Sequence, residues 1–303
     1  MNFSQKRTNL KTRALVMQGT RDFFVSQGYL EVDTPILSPA VIPEAHIDPV
    51  AAPPFFLQAS PELYMKRLLA QGAERIFQIC KCFRQGERSC RHLPELTMLE
   101  WYGAGHTYAD LMNQCQDLLR YIETLPGIKQ PLMYQGNRID LSRPFERLSV
   151  ARAFELFSSV SPEKAIEQGR FDDILSFDIE PNLGIERPCF LLDYPAPLAS
   201  LARLHPENPK VAQRFELYIA GIELANGFTE LTDAALQRHR FEEENLIRQS
   251  LGKAALPLPE KFLSTLGHMP KAAGIALGMD RLVMLFCDAA RIEQIVALAP
   301  EDM

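Results

Sequence analysis

One stretch constrains this chain more than any other: Phe83 to Tyr102, FRQGERSCRHLPELTMLEWY, in which a charged loop leads into an alternating run. Ahead of it, Arg75-Ile-Phe-Gln-Ile-Cys-Lys-Cys-Phe83 is nearly continuous in apolar character and reads as a buried strand. Arg84 opens a loop holding Glu87, Arg88, Arg91 and His92, and a second strand is predicted from Glu95. The pair forms a hairpin with a charged tip. Strand side chains alternate, so Leu96, Met98, Glu100 and Tyr102 share one face while Thr97, Leu99 and Trp101 share the other. Glu100 therefore sits among apolar neighbours, where a carboxylate requires a partner.

Two further segments carry charge inside apolar patterns. Arg214 to Glu230 reads as two strands around Ala220-Gly221, with Glu216, Glu223 and Glu230 along them. Strict alternation sets Asn226 and Glu230 on one face and Glu223 on the other. Asn226-Gly227 is a bulge signal, and a bulge there lets Glu223, Asn226 and Glu230 converge. Glutamates solvated on an edge strand are the competing reading. Ala272 to Phe286 reads as a glycine-bearing strand running into an amphipathic helix, with Gly274 and Gly278 leaving room at the backbone. Arg281 falls in the first turn of that helix, where the dipole disfavours cations, which points to an anion nearby.

Elsewhere the spacing predicts a helix from about 5 to 27 ending at Gly28, a strand over 29–32, a Pro-rich irregular segment to Pro54 and a strand over 55–57. Ser60-Pro61-Glu62 starts a helix, with Ser60 read as its cap. More helices are predicted over 107–124, 149–157 and 162–178, the last within a possible insertion over 159–187. A net charge of −6 argues against a broad phosphate-binding surface. The six cysteines contain no Cys-x-x-Cys pair and read as free thiols of a reducing cytoplasm; Cys80, Cys82, Cys90 and His92 are set aside as a zinc set because the first two belong to a buried strand. A polar N-terminus without an apolar core, and no apolar run of about eighteen residues, predict a cytoplasmic protein without membrane attachment.

Two arginines on strand-edge elements together with buried carboxylates are parts suited to a nucleoside triphosphate and a divalent metal, and no Walker-type loop is present. At this point the chain resembles the catalytic domain of class II aminoacyl-tRNA synthetases of the lysine subgroup. The helix and strand ending in Thr34-Pro35 resemble motif 1, FRQGERSCRHLPELTMLEWY motif 2 and GIALGMDRLVML motif 3, over nearly the whole chain. The resemblance implies an α+β fold, an antiparallel sheet flanked by helices, and a homodimer through motif 1.

Carried onto this sequence, Arg84 resembles the arginine on the ATP α-phosphate and substrate carboxylate, and Arg281 that on the γ-phosphate. Gly86, Glu87, His92, Glu223 and Gly278 fall at the ATP site, and Glu216 and Glu223 resemble the magnesium carboxylates. Ser60, Glu62, Glu100, Tyr102, Asn226, Glu230 and Ala276 resemble the amino-acid pocket. Several carboxylates and a phenol also suit a substrate with two ammonium groups on chemical grounds alone.

The motif 1 helix begins close to Met1, so an anticodon-binding domain and stable tRNA anticodon binding are not expected, and residues 1–303 are read as one catalytic domain. In this the chain resembles truncated lysyl-synthetase paralogues, which the family resemblance connects with ATP, Mg2+, (R)-β-lysine and a lysine side chain of elongation factor P. Ala276 stands where lysyl synthetases have glycine, and its methyl group is placed to discriminate lysine backbones. An α-lysine-activating ligase acting on RNA or a small molecule, and a non-catalytic sensor, are the rival readings. The sequence departs from the family at Arg84-Gln85-Gly86-Glu87, where Arg-Asn-Glu-Glu or Arg-Asn-Glu-Gly is usual, and at Leu93, where asparagine is common.

Overall fold

In the computed structural model, which describes residues 3–302, helix α1 (Phe3–Ser26) buries Val16, Phe23 and Phe24 on one side. It ends before Gly28, whose φ of 75° lies in the left-handed region that glycine enters without strain, and the chain turns into β1 (Leu30–Glu31). Short strands β2 (Leu37–Ser38), β3 (Ala51–Ala52) and β4 (Phe55–Leu57) make a small sheet ordered β2-β4-β3. Helix α2 (Glu62–Ala70) follows. Ser60 does not cap it: the Pro61 carbonyl accepts from the Met65 N–H at 3.0 Å, which makes Pro61 the cap residue, and Pro61 has no side-chain acceptor. Ser60 is thereby left available to the cavity described below.

The predicted hairpin is β5 (Arg75–Phe83) and β6 (Glu95–Ala104), paired antiparallel from Arg75 with Gly103 to Phe83 with Glu95. Helix α3 (Tyr108–Glu123) opens on a capping box made by Thr107 and Asp110. A small hairpin, β7 (Met133–Tyr134) and β8 (Asn137–Arg138), leads to β9 (Glu146–Ser149) and α4 (Val150–Phe157). The region expected as one helix over 162–178 is instead α5 (Pro162–Glu167), a break at Gly169 with φ of 64°, and α6 (Phe171–Ile174) running into a π-turn at Leu175–Ile179. The remaining elements are β10 (Cys189–Pro195), β11 (Val211–Ile219), β12 (Ile222–Thr229), α7 (Ala234–Ser250), α8 (Glu260–Leu266), β13 (Ala272–Gly278) and α9 (Met279–Phe286).

The main sheet has eight strands in the order β1-β5-β6-β13-β12-β11-β10-β9. Its six central strands pair antiparallel as expected, while the edge strands β1 and β9 pair parallel to their neighbours. One face is sealed by α1, α3 and α9 over Phe77, Leu99, Trp101 and Leu277. Phe24 of α1 lies 5.0 Å from Trp101 and 5.1 Å from Phe77, ring to ring, and burying such side chains contributes about 1.5–3 kcal/mol each. The Trp101 indole N–H is satisfied by Gln114 at 3.1 Å. Because that face is filled, the alternate residues of β6, β12 and β13 are presented on the other side.

The bulge in β12 falls at Leu224, not at Asn226-Gly227. Leu217 pairs with Ala225 and Tyr218 with Glu223, whereas Asn226 and Gly227 pair regularly with Glu216 and Phe215. Gly227 is glycine for a different reason: a Cβ there would stand 2.9 Å from both the Phe215 ring and Ile275. The displaced bulge has the anticipated consequence, for Glu223 and Asn226 both line one cavity.

Candidate active site

The open face of β6, β12 and β13 forms the floor of a cavity of about 1000 Å³. Register builds its centre: Ala276 pairs with Glu100 on one side and with Asn226 on the other, so these three residues form a row across three strands. Helix α2 contributes Glu62, and the loop from Val41 to Ile47 closes over the opposite side. That loop is fastened to α7, since Arg248 donates to the carbonyls of Glu44 (2.8 Å) and Ile47 (3.1 Å) and Glu244 accepts from the Ala45 N–H (2.7 Å).

Of the residues singled out from sequence, Ser60, Glu62, Arg84, Glu87, His92, Glu100, Tyr102, Glu223, Asn226, Ala276, Gly278 and Arg281 line this one cavity. Glu216 and Glu230 are buried and do not line it, and Gly86 lies on the exposed turn between Arg84 and Glu87, which do. The site residues come from segments remote in the chain, and the sheet register brings them together.

At one end the charges are dry. Glu100 and Glu230 are 1% and 2% exposed, and the Tyr102 hydroxyl donates to Glu100 Oε1 at 2.5 Å. Lys66 of α2, itself 2% exposed, hydrogen-bonds Glu62 and lies 2.5 Å from Glu230 Oε2. Burial alone would lower the Lys66 pKa, but Glu230 and Glu62 outweigh it and hold the ammonium above its ordinary value. Burial raises the Glu100 carboxyl well above the usual carboxylate range, and pushes Glu230 up to about 8 despite Lys66. Among the described residues Glu100 Oε2 and Glu230 Oε1 are buried with neither a hydrogen-bond nor an ion-pair partner. Gly274 makes room for this arrangement, since a Cβ there would stand 2.1 Å from the Tyr102 ring and 2.6 Å from Glu230 Oε1. The gap anticipated at Gly274 is thus filled by the protein's own side chains.

At the other end arginines are held on partners that an anion could replace. Gly86 has a φ of 77° and nothing within 4 Å of an added Cβ, so glycine serves the turn itself, which returns Glu87 to within 3.6 Å of Arg84. This is the structural reading of the Gly86-Glu87 departure. Arg84 Nε is buried with no hydrogen-bond partner among the described residues. Arg281, third residue of α9, donates to the Glu223 carbonyl at 2.7 Å and to its carboxylate at 3.3 Å, and its other terminal nitrogen meets His92 Nε2. An arginine only donates, so Nε2 accepts and the His92 proton lies on Nδ1, which faces Ser89 Oγ at 2.7 Å. Burial and then Arg281 push the His92 pKa down to about 4, and the ring is neutral at neutral pH. An added Cβ at Gly278 would make only ordinary contacts, 3.7 Å from the Leu224 carbonyl oxygen and 3.8 Å from the Arg281 side chain.

The carboxylates expected to hold magnesium are in different states. Glu223 lines the cavity with only Arg281 paired to it. Glu216 is 7% exposed and fully engaged: Oε1 takes Arg214 at 2.6 Å and Oε2 takes the Tyr194 and Tyr218 hydroxyls at 2.5 and 2.6 Å. As found, the two do not form an open pair, because Arg214 already neutralises one of them. Among the described residues no group of three or more His, Cys, Asp or Glu could cage a metal. A Mg2+ brought by nucleotide phosphates needs no cage, only one or two protein carboxylates, and Glu223 fits that demand.

Sequence reasoning assigned no role to three residues that matter here. Arg214 bridges Glu216 and Asn226 (3.2 Å to Oδ1) and lies 4.3 Å from the Tyr194 ring centroid. Lys66 could have been noticed from its i,i+4 spacing to Glu62. Glu44, whose carboxyl burial pushes up to about 7, lines the cavity from the roof loop, and no sequence pattern marked it.

The chain belongs to the class II tRNA synthetases of the D, K and N group, whose family pattern matches residues 1–301. It is 39% identical over 308 residues to the elongation factor P–(R)-β-lysine ligase of Edwardsiella ictaluri, covering 96% of this chain and 94% of that protein. The proteins of the same description from Sodalis glossinidius (97% of this chain, 95% of the relative) and Salmonella gallinarum (95% and 94%) are each 38% identical to it. Among the described residues no helix is long and apolar enough to cross a membrane.

Proposed function

We propose that this chain is an ATP-dependent, AMP-forming ligase that activates (R)-β-lysine and transfers it to a lysine side chain of elongation factor P. The observation that carries the reading is one cavity with two unlike ends: buried carboxylates, two of whose oxygens have neither a hydrogen-bond nor an ion-pair partner among the described residues, and two arginines lining the cavity on exchangeable carboxylate partners. The names of the relatives, at near full-length coverage, support the choice of substrate and acceptor.

In this reading the amino-acid carboxylate attacks the α-phosphorus of ATP in line, the bond to the pyrophosphate oxygen breaks, and Arg84 and Arg281 balance the charge on the phosphates. Mg2+, when bound, shields the phosphate charge, with Glu223 as its protein ligand and Glu216 behind it. Glu62, Glu100, Glu230 and Tyr102 receive the ammonium groups. His92 keeps Arg281 extended, and being neutral it adds no charge of its own. The ε-amine of the acceptor lysine then attacks the acyl carbon and AMP leaves. The enzyme works in the cytoplasm, as a homodimer through α1 and the segment after it, which expose Leu15, Val25, Leu30 and Leu37.

ATP–pyrophosphate exchange with each amino acid, followed by label transfer, tests this. Strong exchange with (R)-β-lysine, weak exchange with α-lysine and labelled elongation factor P are expected; exchange confined to α-lysine with transfer to tRNA would overturn the reading. Ala276→Gly is expected to shift preference toward α-lysine, within the roughly 10–200-fold that one methyl-sized change can give.

A further inference from the structure

Lys66 is a charged group that the chemistry above does not use, yet it lies inside the amino-acid end rather than on its rim. Its Nζ joins Glu62 of its own helix to Glu230, which follows β12, and stands 5.0 Å from the Phe228 ring centroid. Helix α2 does not need a lysine there, since other straight-chain residues propagate a helix as well. A buried ammonium is retained only where carboxylates repay its desolvation.

Glu62, Glu100 and Glu230, when ionised, place three negative charges at this end, and Lys66 cancels one of them. The residual charge is two, and two buried carboxylate oxygens, Glu100 Oε2 and Glu230 Oε1, have neither a hydrogen-bond nor an ion-pair partner among the described residues, Glu230 Oε2 being taken by the Lys66 ion pair. A ligand with two ammonium groups matches both numbers. Resting on the diamino-acid reading above, we infer that Lys66 is a positioning residue that sets the charge of the amino-acid pocket, holding Glu62 and Glu230 in place and reducing three carboxylates to the two charges a diammonium substrate neutralises. An amino acid with one ammonium group leaves a buried carboxylate unmatched and is rejected for that reason. Lys66 acts through its carboxylate partners and touches no reacting atom.

The test compares wild type, Lys66→Met, Glu62→Gln and the double variant by the KM and kcat for (R)-β-lysine in pyrophosphate exchange, with thermal unfolding alongside. Each single change shifts the pocket by one charge, to three or to one, and is expected to raise KM by about tenfold or more with a smaller change in kcat. The double variant restores a charge of two, so adding Lys66→Met to Glu62→Gln is expected to lower KM by about threefold or more. A purely structural lysine gives the opposite result, because the double variant strips Glu230 of its partner. Should Lys66→Met fail to fold, the comparison of Glu62→Gln with the double variant still decides. A double-variant KM equal to or above that of Glu62→Gln, with active wild type, overturns the inference alone. No exchange by wild type with either form of lysine overturns the diamino-acid reading and this inference together.

Discussion

The two ends of the cavity solve the problem of charge in opposite ways. At the amino-acid end Glu100, Glu230 and Lys66 are all 2% exposed or less, and their pairing is fixed by the fold. At the phosphate end the side chains of Arg84, Arg281 and Glu223 are 24%, 19% and 36% exposed, and each arginine rests on a carboxylate that water also reaches. Dry charges interact strongly and punish a mismatch, which suits selection of a small cation. Wetter pairs are weak and exchangeable, which suits a site where a polyanion must displace them and then depart. In the proposed function, selectivity is thereby concentrated in one half of the cavity and turnover in the other.

The largest test of this contrast lies at the phosphate end. Arg281→Ala is expected to lower kcat/KM for adenylation by about 10²–10³-fold while leaving the unfolding temperature nearly unchanged, because its carboxylate partner Glu223 is reached by water and its other partner, the His92 ring, is neutral. A loss below about tenfold in pyrophosphate exchange would place the phosphates elsewhere.

The pH response of the amino-acid end comes next in size. Burial pushes the Glu230 carboxyl up to about 8 against the pull of Lys66, so near neutrality its ionisation is incomplete in the empty pocket and is completed when an ammonium is received. Deprotonation costs free energy below that pKa and none above it. Through Glu230 the KM for (R)-β-lysine should therefore fall as pH rises from 6 to 8, by at most about tenfold per unit, and ionisation of Glu100, also raised by burial, adds to the fall. Proton release on binding at pH 7, measured by calorimetry in buffers of different ionisation enthalpy, is the companion result; a KM independent of pH would show that the pocket is ionised before substrate arrives.

The smallest effects separate two glycines of the same strand. Gly274→Ala drives a methyl group into Tyr102 and Glu230, and should cost about 1–3 kcal/mol of stability and raise the KM for the amino acid. Gly278→Ala makes only ordinary contacts, the nearest at 3.7 Å, and should leave stability within about 0.5 kcal/mol, raising the KM for ATP instead. Equal effects of the two substitutions on both substrates would erase the division between the ends.

Much of the frame was legible in the chain because its signals are local. The bounds of β5 and the start of β6 follow from an apolar run, a charged loop and an alternating run, and β4 from a short apolar run after Pro54. Where reading failed, the cause lay outside the local window. Asn226-Gly227 resembled a bulge, yet Gly227 is small to admit Phe215 and Ile275, and the extra residue was inserted at Leu224 near the tight turn at Ala220-Gly221. Ser60 resembled a cap, but the helix began one residue later, at a proline carbonyl. Glu216 and Glu223 were joined as metal carboxylates through the family resemblance alone, and no sequence pattern showed that Arg214, Tyr194 and Tyr218 already occupy Glu216.

By itself the sequence determined the groups this protein has to work with: which faces are apolar, where arginines open loops and helices, and that several carboxylates lie within apolar strands. Only the tertiary structure decided which charges meet and which stay open. Lys66 became the partner of Glu230, Arg214 of Glu216 and Arg281 of Glu223, while Glu100 Oε2 and Glu230 Oε1 were left without one. The reason is physical: Coulomb attraction and desolvation depend on distances of a few ångströms and on the exclusion of water, and both are set by packing between strands and helices far apart in the chain.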